Sequence, residues 1–245
     1  MNKEHQPIPL AQAINIARRE AGRNDEQMPD LSDPKVFEQH GNFLIWLADN
    51  LILRPQHRRF VFDDDNRQVI RFLLYYFNNC PLAEEVFPDR GYKLHKNLML
   101  MGAVGTGKTL LMQIFSEYLR LTGNERQFHN LSVTQMVNYY TLHNNLDRYT
   151  FNEEEGRGFQ SMPVNICLND IGMQTTTFFG MDTRRLTDEF LHARNYIWVQ
   201  HHKFAHLTTN LTVEQLKATF TDEYGRLIDR FKTYNIIPLT GKSRR

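Results

Sequence analysis

The feature that most constrains this chain is the octapeptide Gly-Ala-Val-Gly-Thr-Gly-Lys-Thr at residues 102–109. Its glycines let the backbone curl until successive N–H groups point inward, where they can hold phosphate oxygens. An apolar strand is predicted before it, at Asn97–Met101, and an amphipathic helix after it, at Gly107–Thr122. This is the strand–loop–helix setting in which the G-x-x-x-x-G-K-[ST] pattern binds nucleotides. The predicted nucleotide-binding residues are Gly102, Ala103, Val104, Gly105, Thr106, Gly107, Lys108, Thr109 and Leu110.

The composition is that of an ordinary globular protein, with 41% hydrophobic and 23% charged residues among 245. A net charge of +1 excludes a strong overall positive field, so any contact with DNA must rest on a local patch. The two cysteines, Cys80 and Cys167, lie far apart and indicate neither a disulfide framework nor a zinc site. No apolar run resembles a signal peptide or a membrane span, so we expect a cytoplasmic protein without a membrane partner.

Three regions are predicted along the chain. Residues 1–33 are polar and are expected to form either a loosely ordered arm or an arm that docks a partner. Residues 34–90 are expected to be helical, with helices at Pro34–Leu53 and Asp65–Phe77. In residues 91–245, short apolar runs alternate with helical stretches, which predicts an α/β fold with a parallel sheet covered on both faces. The five predicted strands are Asn97–Met101, Gln127–Leu131, Val164–Asn169, Ala205–Thr209 and Ile236–Leu239.

Two residues of the loop carry specific expectations for ATP and Mg²⁺. Lys108 is expected to reach the β- and γ-phosphates, and the Thr109 hydroxyl to ligate Mg²⁺. A metal at this place needs an acidic residue at the end of a neighbouring strand. Asp170 follows the third strand and is the candidate; the alternative is a simple polar turn.

A further polar residue, Asn210, follows the fourth predicted strand. Its amide can hold a water beside the γ-phosphate, or it can cap the next helix. Because Thr212 is itself an adequate cap, we favour the first role for Asn210.

Taken in order, four motifs resemble those of the AAA+ ATPases. They are Gly102–Thr109, Leu168-Asn-Asp-Ile-Gly172, Leu207-Thr-Thr-Asn210 and Tyr224-Gly-Arg-Leu-Ile-Asp-Arg230. Within that family they are most similar to bacterial replicative-helicase loaders of the DnaC/DnaI type and to transposition-helper ATPases of the IstB type. The resemblance implies a five-stranded P-loop domain without the helical lid that many AAA+ proteins add after the last strand.

The resemblance also implies roles for single residues. Asn210 matches the first sensor position. Arg230, and with it Arg226, matches the arginine finger that completes the site of a neighbouring subunit, so self-association is implied. A planar guanidinium that is always charged suits the charge that develops on a transferring phosphoryl group. The alternative for both arginines is a solvated helix face.

The chain departs from the family at Asn169-Asp170, where two acidic residues are usual. If Ile171 and Gly172 fix the register, Asn169 takes the metal-supporting position and Asp170 that of the catalytic base. A slip by one residue would instead give the metal to Asp170. Because Asn is neutral, we expect ATP·Mg²⁺ binding to persist and hydrolysis to be slow.

Three further segments are candidates for contacts with nucleotide or DNA. Phe178 and Phe179 could stack on single-stranded bases or pack against the next helix or a subunit interface. The apolar part of residues 60–66 lies where AAA+ proteins often seat adenine. The basic residues Lys242, Arg244 and Arg245 could contact nucleotide or DNA phosphates, or form a frayed tail.

The leading prediction is therefore an AAA+ ATPase that acts on single-stranded DNA and a partner helicase, as a helicase loader does. One alternative is a transposition-helper ATPase whose client is a transposase. Another is an adaptor that is gated by ATP binding and scarcely hydrolyses it.

Overall fold

A computed structural model describes residues 29–152, 162–172, 177–178, 181–220 and 226–244 of the chain. In these ranges the alternation of strands and helices expected from the sequence is present from residue 97 onward. The predicted arm at residues 1–33 lies largely outside the described residues. The described strands are β1 (Asn97–Met101), β2 (His129–Ser132), β3 (Ile166–Ile171), β4 (Thr177–Phe178), β5 (Met181–Asp182), β6 (Ala205–Thr209) and β7 (Tyr234–Pro238).

Five of these strands form one sheet in the order β2-β3-β6-β1-β7, and every neighbouring pair is parallel. The prediction of a five-stranded parallel sheet in an α/β fold is confirmed. The predicted bounds of β1 and β6 agree with the structure, whereas β3 continues two residues further, through Asp170 and Ile171. The strands β4 and β5 form a separate antiparallel ribbon. The sequence also predicts a helix over Met181–Val199. Its start is wrong, because Met181 belongs to this ribbon and the helix begins at Thr183.

The helices begin where the sequence supplies caps. Asp33 caps the first helix, with Pro34 in its first turn, while Ser132 and Thr212 form capping boxes with the Gln three residues later. No helix among the described residues has both the length and the hydropathy to cross a membrane. The helices are α1 (Pro34–Leu47), α2 (Asp64–Phe77), α3 (Ala83–Val86), α4 (Lys108–Leu121), α5 (Val133–His143), α6 (Thr183–His201), α7 (Val213–Thr219) and α8 (Arg226–Arg230).

The predicted helix over Pro34–Leu53 ends earlier than expected as a regular α-helix. Residues Ala48–Ile52 continue α1 as a π-helical turn, and a short 3-10 turn follows at Arg54–Gln56. Pro55 lies in that second turn. Since proline has no N–H to donate to a preceding carbonyl, the regular helix cannot run through it.

The sheet separates two hydrophobic clusters, and β1 contributes to both. Leu98 and Leu100 pack with α1, α2 and α4 on one face, whereas Met99 packs with α5 and α6 on the other. Successive side chains of a strand point to opposite faces, so the unbroken apolar run in β1 is explained by burial on both sides. The helices before residue 90 therefore share a core with the helix that follows the glycine loop.

Polar side chains are buried at the amino ends of the strands. His206 of β6 accepts a hydrogen bond at Nδ1 from the Leu98 N–H (3.2 Å) and lies among the rings of Tyr76, Phe77 and Phe128. Burial, helped by the charges of Arg126 and Arg194, lowers the pKa of His206 to about 3. The ring is therefore neutral near pH 7 and belongs to the core.

Arg194 of α6 holds several chain segments at this end of the sheet. The side chain is 1% exposed, and its Nη atoms donate to the carbonyls of Tyr149 (3.3 Å), Val164 (3.0 Å) and Phe204 (2.8 Å). Burial lowers the pKa of Arg194 to about 10, so it remains charged at neutral pH. The cation thereby binds the segments that lead into β3 and β6.

We expect Arg194→Ala to lower the free energy of unfolding by about 2–4 kcal/mol, because three buried carbonyls lose a charged donor. Urea denaturation of the full chain measures the change. Arg185→Ala, on the same helix but with a 79% exposed side chain, is the matched control and should change stability by less than about 0.5 kcal/mol. Equal effects of the two substitutions would contradict the assigned role of Arg194.

Candidate functional site

The glycine loop connects the carboxyl end of β1 with the amino end of α4, which begins at Lys108. Gly105 and Gly107 have φ angles of 87° and 99°, a region that favours glycine. The Gly102 N–H donates to the Thr209 carbonyl (3.2 Å) and so continues the pairing of β1 with β6. The loop therefore faces the positive end of a helix at the carboxyl edge of a parallel sheet, where ligands bind in such folds.

Lys108 connects the loop to the neighbouring strand. Its side chain is buried (4% exposed), and Nζ donates to the carbonyls of Gly102 (2.7 Å) and Ala103 (2.9 Å) and to Oδ1 of Asn210 (2.6 Å). The cap of α7 is Thr212, so the Asn210 side chain is available to meet Lys108. The structure thus brings together the two residues that the sequence placed on either side of the γ-phosphate.

Asp170 occupies an irregular part of β3. The pairing of β3 with β6 shifts register between Leu168 and Ile171, and Asp170 has a φ of 61°. Its N–H donates to Oγ1 of Thr208 (2.9 Å), and the residue is half-buried. Non-glycine residues with positive φ are uncommon and cluster at functional sites. This bulge turns the acidic residue at the sheet edge away from the regular alternation of β3.

Asn169 is 4% exposed, and its amide is fully engaged. Nδ2 donates to Oδ1 of Asn130 (2.6 Å) and to the Leu131 carbonyl (3.3 Å), while Oδ1 accepts from Oγ1 of Thr208 (3.2 Å). These contacts direct the amide toward β2 and β6. Its predicted role in supporting the metal stays a prediction.

Within the described ranges, no group of three or more His, Cys, Asp or Glu residues could hold a metal by itself. Protein sites usually bind Mg²⁺ through one or two side chains together with phosphate oxygens and water. Two side chains next to the glycine loop offer oxygen ligands. They are Thr109, which is exposed in the first turn of α4, and Asp170 in β3. The donors present therefore suit a metal that arrives with a nucleotide.

A small, mainly apolar cavity adjoins the loop. Part of the segment 60–66, which the sequence proposed as an adenine seat, contributes to its wall. The Asn66 amide holds this segment in place by donating to the Val61 carbonyl (2.6 Å). The cavity is lined by Leu53, Phe60, Val61, Gly107, Leu110 and Arg244, among others.

The predicted finger residues lie elsewhere. Arg230 packs its guanidinium over the Tyr196 ring of α6 (5.3 Å to the centroid), and its neighbours Ile228 and Phe231 belong to the cluster on the face opposite α4. Burial lowers the pKa of Arg230, with Asp188 opposing the shift. Arg226 begins α8, and Phe178 lies in β4, but the structure does not describe their side chains. Phe179 and Arg245 lie outside the described residues.

Sequence reasoning missed an ion pair beside the loop. Nη2 of Arg244 donates to both carboxylate oxygens of Asp63 (2.8 and 3.0 Å), and Nη1 donates to the Thr106 carbonyl (2.7 Å). Arg244 was expected to contact phosphates or to belong to a frayed tail; instead it contacts the loop itself. No sequence period relates Asp63 to a residue so distant in the chain.

Several solved structures are similar to part of this chain. DnaA from Aquifex aeolicus with bound AMPPCP has 19% identity and a TM-score of 0.46 over 76% of this chain and 50% of that chain. A putative primosome component from Streptococcus pyogenes serotype M3 has 15% sequence identity and a TM-score of 0.48, over 76% of this chain and 85% of that chain. Domain III of Thermotoga maritima DnaA has 17% sequence identity and a TM-score of 0.45, over 74% of this chain and 65% of that chain.

The match spans half the length of the A. aeolicus DnaA chain. At these identities and TM-scores, the likeness gives no conclusion about the activity of this chain. No family model matches the sequence. No curated protein matches it either.

We expect Gly102→Ala to lower the free energy of unfolding by about 1–3 kcal/mol, because the added methyl would overlap the Leu239 carbonyl oxygen. Gly41→Ala is the matched control, because the residue lies inside α1. Apart from its chain neighbours and the helix backbone, no atom of the described residues lies within 4 Å of the methyl group that it would gain. The control should raise stability by up to ~1 kcal/mol. Urea denaturation measures both, and a neutral Gly102→Ala would show that the strands can separate here at little cost.

Proposed function

We propose that this chain binds ATP with Mg²⁺ in the loop at residues 102–109 and hydrolyses it slowly. The observation that carries the proposal is the contact between Lys108 Nζ and Asn210 Oδ1 at 2.6 Å. It joins a cation at the amino end of a helix to a polar side chain at the end of the neighbouring strand. Such an arrangement is suited to bind a terminal phosphate and to detect it.

The metal in this proposal is bound from two sides. The Thr109 hydroxyl approaches from α4, and the Asp170 carboxylate from the bulge in β3. The phosphate groups of ATP would supply further oxygen ligands to the metal. When bound there, Mg²⁺ would neutralise charge that develops during phosphoryl transfer.

Slow hydrolysis follows from the residue beside Asp170. Asn169 is neutral, so the site has one negative charge fewer than a pair of carboxylates would supply. Its amide is also engaged with Asn130, Leu131 and Thr208. Asp170 then has to serve the metal, the attacking water, or both, and we propose that one carboxylate does this less well than two.

For the biological role, we propose a helicase-loader-like ATPase of the AAA+ type that acts on single-stranded DNA and a partner helicase. The support is the order of the four motifs along the chain. In this proposal the chain self-associates, and Arg230, with Arg226 on the same helix, reaches the site of a neighbouring subunit. The half-exposed position of Arg230 on α8 is compatible with that role.

We expect Lys108→Ala to weaken ATP binding by about 10- to 100-fold, because a buried cation that faces phosphate oxygens is lost. Titration with a fluorescent ATP analogue measures the affinity, and release of inorganic phosphate, with and without single-stranded DNA, measures turnover. Lys35→Ala, an exposed lysine on α1, is the control and should bind as the wild type does.

If Lys108→Ala binds and turns over ATP as well as the wild type, the proposed site is wrong. If binding depends on Lys108 but DNA and a helicase leave turnover unchanged, the ATP site stands and the loader role fails.

The engaged amide of Asn169 also favours a second function, an adaptor gated by ATP binding with little hydrolysis. In that case the missing carboxylate is what keeps turnover low. The site is able to receive one, since Nδ2 of Asn130 is buried and has no hydrogen-bond partner among the described residues. A turned Asn130 amide could donate to a carboxylate at position 169.

For the adaptor, Asn169→Asp should raise ATP turnover severalfold while costing about 1–3 kcal/mol of stability, since the buried Leu131 carbonyl loses its donor. Single-turnover phosphate release and urea denaturation measure the two effects. Asn138→Asp, on the exposed side of α5, is the control for the added charge. Unchanged turnover in a folded Asn169→Asp variant would count against the adaptor.

A further inference from the structure

Residues 239–244, which we call the strap, run along the phosphate loop after β7. The strap begins where the Leu239 N–H donates to the Met101 carbonyl (2.7 Å), at the end of β1. It passes so close to Gly105 that a methyl group there would overlap the Ser243 side chain. A methyl on Gly241, whose φ is 105°, would likewise overlap the Asp65 carboxylate. The strap is therefore packed between the loop and the amino end of α2.

Arg244 makes the polar contacts of the strap with the loop. Its backbone N–H donates to the Gly105 carbonyl (2.9 Å), and Nη1 donates to the Thr106 carbonyl (2.7 Å). Its own carbonyl accepts a hydrogen bond from Arg58. The Arg244 side chain is only 11% exposed. A single residue therefore holds two successive carbonyls of the loop.

These two hydrogen bonds fix the orientation of two peptide planes. In a trans peptide, the C=O of one residue and the N–H of the next point in opposite directions. The N–H groups of Thr106 and Gly107 therefore face away from the strap. Thr106 N–H makes a long bond to Ala103 O (3.4 Å) on that side. In a loop of this type, the inward N–H groups are the donors to phosphate oxygens.

The other end of the Arg244 side chain is anchored on Asp63. This carboxylate also accepts from the backbone N–H groups of Asp65 (3.1 Å) and Asn66 (3.2 Å) as the cap of α2. Desolvation would raise the pKa of Asp63, but the hydrogen bond and charge of Arg244, with the two backbone donors, outweigh it and lower the pKa. The anchor is therefore charged at neutral pH and fixed to a helix.

We propose that Arg244 is a positioning residue for nucleotide binding, which holds the N–H groups of the phosphate loop in their binding orientation from the side opposite the phosphates. The inference rests on the proposed ATP site and adds a residue 138 positions away from Thr106 to it. Glycines at positions 105 and 107 leave the free loop many conformations. The strap reduces that freedom before the nucleotide arrives, so less entropy is lost on binding.

The test compares four variants of the full chain by titration with a fluorescent ATP analogue. Arg244→Ala should weaken binding by about 10-fold or more, because the Thr106 carbonyl loses its charged donor. The backbone N–H of residue 244 remains, but it loses the side-chain anchor on Asp63 that keeps it at the Gly105 carbonyl. Arg244→Lys should give an intermediate loss, since lysine keeps the charge but not the planar fork. Asp63→Asn, which retains a good helix cap, should weaken binding in the same direction. Thr240→Ala, exposed on the same strap, is the control and should leave affinity unchanged.

Hydrogen exchange in the absence of nucleotide separates a local effect from general destabilisation. In Arg244→Ala the amides of residues 105–107 should exchange faster, while those of β3 should keep the protection seen in the wild type. Faster exchange throughout the sheet would identify Arg244 as a general stabilising residue and overturn the inference. If Arg244→Ala does not fold, Arg244→Lys and Asp63→Asn provide the same comparison.

The outcomes also distinguish this inference from the proposed function. If ATP binds the wild type and Lys108→Ala weakens it, but Arg244→Ala, Arg244→Lys and Asp63→Asn all bind normally, the ATP site stands and the role of Arg244 is rejected. A loss in Thr240→Ala equal to that in Arg244→Ala would reject it too. If the wild type binds no ATP, the proposed function and this inference fail together.

Discussion

The backbone at the end of β1 is held from both sides, and the candidate site depends on that constraint. The Gly102 N–H donates to Thr209 after β6 (3.2 Å), and the Leu239 N–H after β7 donates to Met101 (2.7 Å). Because β1 lies between β6 and β7, the segments that follow these two strands both lie beside the loop. Asn210 comes from one side and the strap from the other. Parallel strands whose carboxyl ends meet at one edge make this convergence possible.

The two ends of the sheet have different chemistry. At the amino ends of the strands, Arg194 and His206 are enclosed by carbonyls and aromatic rings and serve the core. At the carboxyl ends, Lys108 and Asp170 face a glycine-rich loop and a bulge. The two buried cations therefore differ in their surroundings. Lys108 lies beside irregular chain, whereas Arg194 binds the segments that lead into regular strands.

The sequence was sufficient to predict the sheet and the loop, because both rest on local patterns. Apolar runs locate β1 and β6 to the residue, and the spacing of Gly and Lys locates the loop between β1 and α4. The bulge at Asp170 was not predicted, since it depends on a register shift against β6 rather than on β3 itself. The ion pair of Arg244 with Asp63 could not be predicted either, because it depends on tertiary contact. The two residues are 181 positions apart, and no periodicity relates them. The roles of all the predicted site residues stay predictions, for Lys108, Asp170 and Asn210 as much as for Asn169, Arg226 and Arg230.

The position of Lys108 has a consequence for how a phosphate would be received. An ammonium group has three hydrogens to donate, and here three oxygens already accept from it, two from the loop and one from Asn210. A phosphate oxygen that reaches the lysine must displace at least one of them. Phosphate binding at Nζ therefore replaces one hydrogen bond with another. The net gain in free energy is the difference between the new bond to phosphate and the bond that is lost. The oxygen most easily displaced is that of Asn210, because it is on an exposed side chain rather than on the loop backbone. Phosphate binding would then break the hydrogen bond between Lys108 and Asn210 and release the Asn210 amide. Asn210 is also the residue that begins the connection from β6 to α7.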